Sequence, residues 1–306
     1  MVTGSSVTVA IINYNSAAFI GDLLASLRAV NDPPFRLLVV DAASSDDSLA
    51  RIEAARPDAA IVRCPDNVGF AAGANIGVRH VLDHGGEHIL FLNPDTTVTA
   101  GFLRAMLDAG DDHTIVVPKI LYKDDPRLIS THAGGFDWRL GLFRDTFHGR
   151  PDGPATSVRR DDLETASFAC ALVPAQAFRD AGPLDERFFM YYEETDWLRR
   201  ARAQGYRIRY EPSAVIYHRE SGSSGGGWMT AFKLYYATRN RLYLVRKNTN
   251  SRRDYVYFTS YFWLTRLGAT ARLAARRDWR LLRAMWRGVR DYYQGRMSRT
   301  YQVHDL

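Results

Sequence analysis

The sequence predicts an α/β protein: a mostly parallel, Rossmann-like sheet with helices on both faces, followed by a basic helical extension. Three observations carry that expectation. Short apolar runs alternate with segments of helical periodicity through the first hundred residues, the pattern of parallel strands joined by crossover helices. Polar residues gather where the apolar runs end, at the edge where ligands of such sheets sit. Charge divides the chain, because residues 228–306 hold 17 Lys and Arg against 4 Asp and Glu, leaving 23 against 30 before them. At 306 residues and 46% hydrophobic, the chain has ample material for a core.

Val7 to Ile12 is the first strand, and Phe19, Ile20, Leu23, Leu24 and Leu27 recur at helical spacing after the loop Asn13-Tyr-Asn15-Ser16. Phe35 to Val40 is the second, followed by the loop Asp41 to Asp46 and a helix through Leu49, Ile52 and Ala55. Ala59 to Arg63 is the third, leading through Asp66-Asn67-Val-Gly69-Phe-Ala-Ala-Gly73-Ala-Asn75-Ile-Gly77 into a helix to about His84. His88 to Leu92 is the fourth and ends in Asn93-Pro-Asp95-Thr96. The strand ends therefore present Asn13, Asp41, Asp66, Asn67, Asn93 and Asp95 at one mouth. No GxGxxG follows the first strand, so a dinucleotide cofactor is not expected. Gly69, Gly73 and Gly77 read as a tight turn and close helix packing, and Asn75 as either a ligand-facing residue or a local cap.

After Thr114 to Pro118 the alternation stops, and residues 122–160 read as an excursion of loops. Thr165 to Val173 reads as a later strand and Ala175 to Asp180 as a short helix. Tyr206 to Tyr210 and Ala214 to Tyr217 read as two strands, the second ending in His218. The loop Glu220 to Gly227 is mobile by composition and closes the body. Between these lies Asp185-Glu-Arg-Phe-Phe-Met-Tyr-Tyr-Glu193-Glu194-Thr-Asp196. Phe188 to Tyr192 read as a buried or half-buried extended segment delivering three carboxylates to the start of a helix that runs to Gly205. Burial raises a carboxylate pKa, which suits a general base. The plain alternative is that Thr195 or Asp196 caps the helix while the acids complement its dipole.

Six segments together resemble a known family: Ile11 to Asn15, Val40 to Asp46, Asn67 to Asn75, Leu92 to Asp95, Gly182 to Asp196, and His218. In this order, across about residues 7–225, they are similar to the family-2 inverting glycosyltransferases of GT-A fold, within them the bacterial rhamnosyltransferase-type branch. The resemblance implies a catalytic GT-A domain over residues 1–225, with a sugar-nucleotide half to about 120 and an acceptor half from 121. It implies that Asn13, Asn15, Asp41, Asn67, Gly69, Asn75, Asn93 and Asp95 hold a nucleotide-diphosphate sugar, with dTDP-rhamnose as the best guess. A carboxylate such as Asp41 can accept from a pyrimidine N–H. Asp95 and His218 fall on the family's metal positions, where an oxygen and an imidazole suit Mg²⁺ or Mn²⁺. Glu193-Glu194 falls on the Glu-Asp pair whose second member is the general base. Glu194 is thus the candidate base for a hydroxyl of a glycan or polyprenyl-linked glycan, with Glu193 and Asp196 as the neighbouring carboxylates. Asn93 stands where the family carries an acid, which leaves open a sugar-nucleotide-binding protein without transfer activity.

The tail, residues 226–306, reads as amphipathic helices, with Arg239-Asn240-Arg241 on a solvated basic face or, as the alternative, within reach of the donor diphosphate. Its longest charge-free run, Tyr255 to Thr265, is 11 residues, far short of the roughly 20 a spanning helix needs. Basic residues interleaved with Tyr and Trp point to docking on an anionic membrane surface. Packing on the body or a homodimer interface is the alternative. A nucleic-acid partner is not expected, because the arginines alternate with apolar residues and no recognised module is present. Met1 to Gly21 lacks the basic start of a signal peptide, and Cys64 and Cys170 are too few for a disulfide framework. The expected location is cytoplasmic, peripheral on the inner face of the membrane.

Overall fold

The computed structural model describes residues 7–30, 33–131, 133–144, 146–219 and 230–298; the predicted closing loop Glu220 to Gly227 lies outside them. Strands β1 (Val7–Asn13), β2 (Arg36–Asp41), β3 (Ala60–Arg63) and β4 (His88–Leu92) alternate with helices α1 (Ile20–Arg28), α2 (Ser48–Ala55) and α3 (Gly69–Asp83). There follow β5 (Thr96–Val98), α4 (Phe102–Ala109), β6 (Thr114–Tyr122), β7 (Ala133–Asp137), β8 (Leu142–Arg144), β9 (Thr165–Ala166) and β10 (Cys170–Pro174). The chain continues through α5 (Ala175–Ala181), α6 (Glu193–Ala203) and β11 (Arg207–His218) to the tail helices α7 (Ala231–Asn248), α8 (Arg252–Ala275) and α9 (Trp279–Tyr293).

Eight strands form one sheet in the order β3-β2-β1-β4-β10-β6-β11-β5. β10 runs against β4 and β6, and β5 against β11, while the remaining pairs are parallel. The carboxyl ends of β1, β2, β4, β6 and β11 therefore open on the same edge as the amino ends of β5 and β10. Alternation along β1 explains the two-sided core. Val7, Val9 and Ile11 pack with α1 and α4 on one face, and Ala10 packs with α3, α5 and α6 on the other. α3 lies so close to β1 that a Cβ on Gly73 would come within 2.8 Å of Ile12 Cγ2, which is the close packing its glycines predict. Cys64 and Cys170 are buried free thiols.

The structure departs from the sequence reading in three places outside the site. Residues 122–160 contain β7 and β8, which join β9 in a small antiparallel sheet, so the excursion is partly ordered as strands. The strand predicted over Thr165 to Val173 is divided between that sheet and the main one, as β9 and β10. The two strands predicted near 206–217 are one, β11, whose register slips between Glu211 and Val215. Pro212 has no N–H to give the ladder there, and Glu211 accepts from the Ser213 N–H and hydroxyl at 3.1 and 2.7 Å.

In the tail, α9 packs directly on α7: a Cβ on Gly288 would lie 2.6 Å from the Tyr235 carbonyl. α8 is different, burying only Phe258 and Phe262 and leaving Val256, Tyr257, Leu264 and Leu267 exposed. Among the described residues, no helix is long and apolar enough to cross a membrane.

Candidate active site

Asn13 and Asp41 are register partners at the ends of β1 and β2, which brings their side chains together. Asn13 Nδ2 donates to Asp41 Oδ1 at 2.8 Å, to Ser48 Oγ at 3.0 Å and to Ser44 Oγ at 3.1 Å. Asp41 accepts in addition from the Ser44 hydroxyl at 2.6 Å and N–H at 3.1 Å. Asn15, with φ 47°, accepts from the Ser45 N–H at 2.8 Å, and its own N–H donates to Ser44 Oγ at 3.0 Å. These bonds tie the first two loops into one polar shelf.

The third loop meets the carboxylate segment. Asn67 accepts from the Gly69 N–H at 3.0 Å, and Gly69 takes φ 74°. A Cβ there would lie 2.5 Å from the Phe189 carbonyl oxygen, which accepts from the Phe70 N–H at 2.8 Å. Only glycine lets the start of α3 approach this closely. Asn75 is buried and its amide is engaged on the same segment: Nδ2 donates to the Leu184 carbonyl and to Glu186 Oε1, each at 2.9 Å, and Oδ1 accepts from the Leu184 N–H at 2.9 Å.

At the opposite side of the mouth, antiparallel pairing of β5 with β11 places Thr96 across from His218. His218 Nε2 consequently lies 3.1 Å from Asp95 Oδ1, both side chains being largely buried. Asn93 forms the turn before them, its carbonyl accepting from the Thr96 N–H at 3.3 Å and hydroxyl at 2.7 Å. One carboxylate and one imidazole fit Mg²⁺ or Mn²⁺ only when diphosphate oxygens and water complete the shell. Among the described residues, no group of three or more His, Cys, Asp or Glu forms a self-sufficient metal site.

The segment before the carboxylates corrects the sequence reading, because Phe188 to Tyr192 is not extended. Asp185 caps a 3₁₀ turn over Glu186–Phe188, after which Phe189, Tyr191 and Tyr192 take φ values of 66°, 69° and 75°. Bulky residues adopt such angles only where their surroundings compel them. The compulsion comes from α7. Asn240 Nδ2 donates to the carbonyls of Phe188, Met190 and Tyr191 at 3.0, 2.7 and 2.9 Å. Arg239 Nη2 donates to the Phe188 carbonyl at 2.9 Å, its guanidinium lying over the rings of Tyr235 and Tyr236. The predicted solvated basic face at Arg239-Asn240-Arg241 is thus corrected as well, since all three residues are buried. Loop carbonyls and aromatic faces replace water around Arg239.

Glu193 and Glu194 open α6 immediately after this kink. Burial, then the charge of Glu194, pushes the Glu193 carboxyl well above the usual carboxylate range. Burial pushes Glu194 up to about 7, although its hydrogen bonds with the backbone and Glu193 pull the other way. One buried oxygen of each has no hydrogen-bond partner among the described residues. Two carboxylates so placed cannot both ionise readily, and the pair retains a proton near neutral pH. Asp196 faces the tail: it accepts from Lys247 Nζ at 2.7 Å, Asn248 Nδ2 at 2.9 Å and Arg200 Nε at 3.4 Å. Trp197, fully buried, stacks on Phe178 at 4.3 Å and donates to the Gly182 carbonyl at 2.8 Å, fixing α6 in place.

The fold therefore brings the Asn13–Asp41 shelf, Asn67 and Gly69, the Asp95–His218 pair and the head of α6 to one edge of the sheet. Sequence reasoning missed Asn240 and Arg239 as the residues that shape the carboxylate loop. Their one visible signal was an Asn between two Arg in the middle of an aromatic helix.

Residues 8–181 match the family described as Glycosyl transferase family 2. An N-acetylglucosaminyl-diphospho-decaprenol L-rhamnosyltransferase of Mycobacterium tuberculosis is 27% identical over 247 residues, covering 70% of this chain and 76% of that protein. A dTDP-rhamnosyl transferase, RfbF, of Shigella flexneri is 22% identical, covering 80% and 81%. The low-salt glycan biosynthesis hexosyltransferase Agl10 of Haloferax volcanii is 27% identical over 66% of this chain, and the match spans 63% of its own length. Among solved structures, the mannosyltransferase PcManGT of Pyrobaculum calidifontis, in complex with GDP-Man and Mn²⁺, superposes with a TM-score of 0.57 at 16% identity, covering 95% of this chain and 87% of that one. GalNAc-T7 with UDP, GalNAc and Mn²⁺ gives 0.57 at 12% identity, covering 83% and 54%. The architecture is the GT-A fold, and with more than half of its length matched this chain belongs to glycosyl transferase family 2.

Proposed function

We propose that this glycosyltransferase is metal-dependent and inverting, moving rhamnose from dTDP-rhamnose to a hydroxyl of a glycan or polyprenyl-linked glycan in cell-wall or polysaccharide synthesis. The observation that carries the reading is the Glu193–Glu194 pair at the head of α6, Glu193 buried and Glu194 half-buried, with Glu194 held near 7. Glu194 takes the acceptor's proton as the hydroxyl attacks the anomeric carbon in line, with inversion. Asn13, Asn15, Asp41, Asn67 and Asn93 hold the nucleotide and its diphosphate, while Gly69 and Asn75 set the loop above them. Asp95 and His218 would hold the divalent ion, which offsets charge on the departing diphosphate. Asp196, tied to Lys247, orients α6. The rhamnosyl donor is favoured by the names that the Mycobacterium and Shigella relatives carry.

The deciding assay offers dTDP-rhamnose and other sugar nucleotides with Mn²⁺ or Mg²⁺ and reads release of the nucleoside diphosphate. Slow hydrolysis of one donor is the expected result, and tight binding of every donor without turnover would return the chain to a sugar-nucleotide-binding protein. Asp95→Ala and His218→Ala are each expected to raise the metal concentration for half-maximal rate and weaken nucleoside-diphosphate binding about tenfold or more. Metal titrations and EDTA sensitivity unchanged in both variants would remove the shared ion.

We further propose that the tail docks this enzyme on the inner, anionic face of the cytoplasmic membrane. α8 exposes Val256, Tyr257, Leu264 and Leu267 along with Arg252, Arg253 and Arg272, and Arg276 is exposed just past its end. Each basic residue near an anionic surface contributes roughly 1 kcal/mol, and the apolar side chains add burial. The full chain is expected to float with anionic liposomes at low salt, to be released by high salt, and to lose binding when Leu264 and Leu267 become Asp. Indifference to anionic vesicles at low salt would leave the exposed face of α8 for a second copy of the chain.

A further inference from the structure

The other cations of the tail core are matched: Arg239 by loop carbonyls, and Lys247 by Asp185 and Asp196 at 2.8 and 2.7 Å. Arg241 and Arg266 are matched only in part: Arg241 Nη2 donates to the Leu140 carbonyl and Arg266 Nη1 to Thr238 Oγ1 at 3.5 Å, with no carboxylate at either. Arg241 is only 7% exposed, and its guanidinium lies 5.6 to 5.8 Å from the ring centres of Phe258, Tyr261 and Phe262. Arg266, half-buried on α8, lies 5.3 Å from Phe262. The Nε of each is buried with no acceptor, and no carboxylate among the described residues pairs with either. Two neighbouring guanidiniums withdrawn from water without a counter-ion repel one another and are costly. The groups they do feel are the phenols of Tyr192 and Tyr261.

Two guanidinium forks whose Nε donors are unpaired and which face no carboxylate, together with two phenol hydroxyls, complement a phosphate, whose oxygens take paired N–H bonds from arginine. Its place in the fold is informative. Tyr192 immediately precedes Glu193 and feels the charge of Glu194, so an anion held here lies beside the carboxylate pair. Arg241 meets the β7–β8 turn through the Leu140 carbonyl, whereas Asp95 and His218 stand on β5 and β11.

We infer that Arg241 and Arg266, with Tyr192 and Tyr261, form a phosphate subsite that receives the phosphate or diphosphate of a phosphorylated acceptor beside Glu194. The inference rests on the transferase reading and deepens it, by assigning acceptors with a phosphate next to the reacting sugar over neutral glycans. Such a ligand supplies the missing counter-charge and orders the contact between α7, α8 and the β7–β8 turn.

The test is calorimetric titration of geranyl diphosphate and inorganic pyrophosphate into the full chain already saturated with dTDP and Mn²⁺. Geranyl diphosphate is expected to bind beside the bound dTDP, with Arg241→Gln and Arg266→Gln each weakening it at least tenfold while dTDP affinity moves less than twofold. Binding of both probes with equal loss in the variants assigns the site to the phosphate groups themselves. Displacement of geranyl diphosphate by dTDP would make this the donor's diphosphate pocket and overturn the acceptor assignment. Unchanged binding in Arg266→Gln, confirmed folded by circular dichroism, would overturn the site outright; the half-buried position makes that variant decisive even if Arg241→Gln fails to fold. A protein that binds geranyl diphosphate through these arginines yet cleaves no sugar nucleotide would sink the transferase reading alone.

Discussion

Glu194→Gln is expected to lower kcat for transfer by about 10²–10⁴-fold while nucleoside-diphosphate affinity stays within about twofold, because the amide keeps the shape but cannot take a proton. Retention of more than about a tenth of the wild-type kcat would falsify the assignment of Glu194 as base. The same group sets a pH profile. With its carboxyl held near 7, kcat/KM should fall as pH drops below that value and the base becomes protonated. The sign for stability is opposite. Both glutamates are raised in the folded protein, so their contribution is fully present below the ordinary carboxylate range and is lost as pH rises, for Glu194 through about 7 and for Glu193 through its own raised value. Glu194→Gln should therefore melt higher than wild type at pH 8 and gain little at pH 5. Equal melting shifts at both pH values would show that the pair is not desolvated as its surroundings require.

Asn240→Ala is expected to cost on the order of 3 kcal/mol in urea unfolding and at least about tenfold in kcat, since it removes one donor shared by three loop carbonyls, of which only that of Phe188 keeps Arg239. The three carbonyls belong to Phe188, Met190 and Tyr191, and two of the residues they bracket, Phe189 and Tyr191, have positive φ. Released, the loop relaxes toward ordinary backbone angles and carries Glu193 and Glu194 with it. The effect should fall on kcat and on the pH profile, with KM for the donor little changed, because the Asn13–Asp41 shelf does not touch α7. A variant destabilised as expected but with wild-type kcat would mean that the carboxylates hold their place without the clamp.

Much of the architecture was legible because its signals are local. Val7 to Ile12 and the helix after it announce themselves by period, and Asn13, Asp41, Asn93 and Asp95 fall at strand ends that any parallel sheet sends to one edge. Proximity of Asp95 to His218 was implied by resemblance and by their place at two strand ends facing one mouth, although the two are 123 residues apart and meet through strand pairing. The kink at 188–192 was not legible. Five bulky residues in a row have strand propensity, and what overrides it is an asparagine about fifty residues later, which no local pattern announces. The solvated reading of Arg239 and Arg241 failed for a related reason. Charge forecasts exposure only where water is the best partner, and here buried carbonyls and aromatic rings supply the contacts.

The dependence of the 188–192 loop on α7 also sets an order of events during synthesis. The sheet and both of its helical layers can assemble once β11 has emerged, yet the loop leading to Glu193 and Glu194 waits for a residue 49 positions beyond Tyr191. At roughly 5–20 residues per second, the 22 residues from His218 to Asn240 take about 1–4 s, during which the nascent body has its polar shelf but no ordered carboxylate pair. Arrival of α7, more than collapse of the core, is then the step that orders the carboxylate pair.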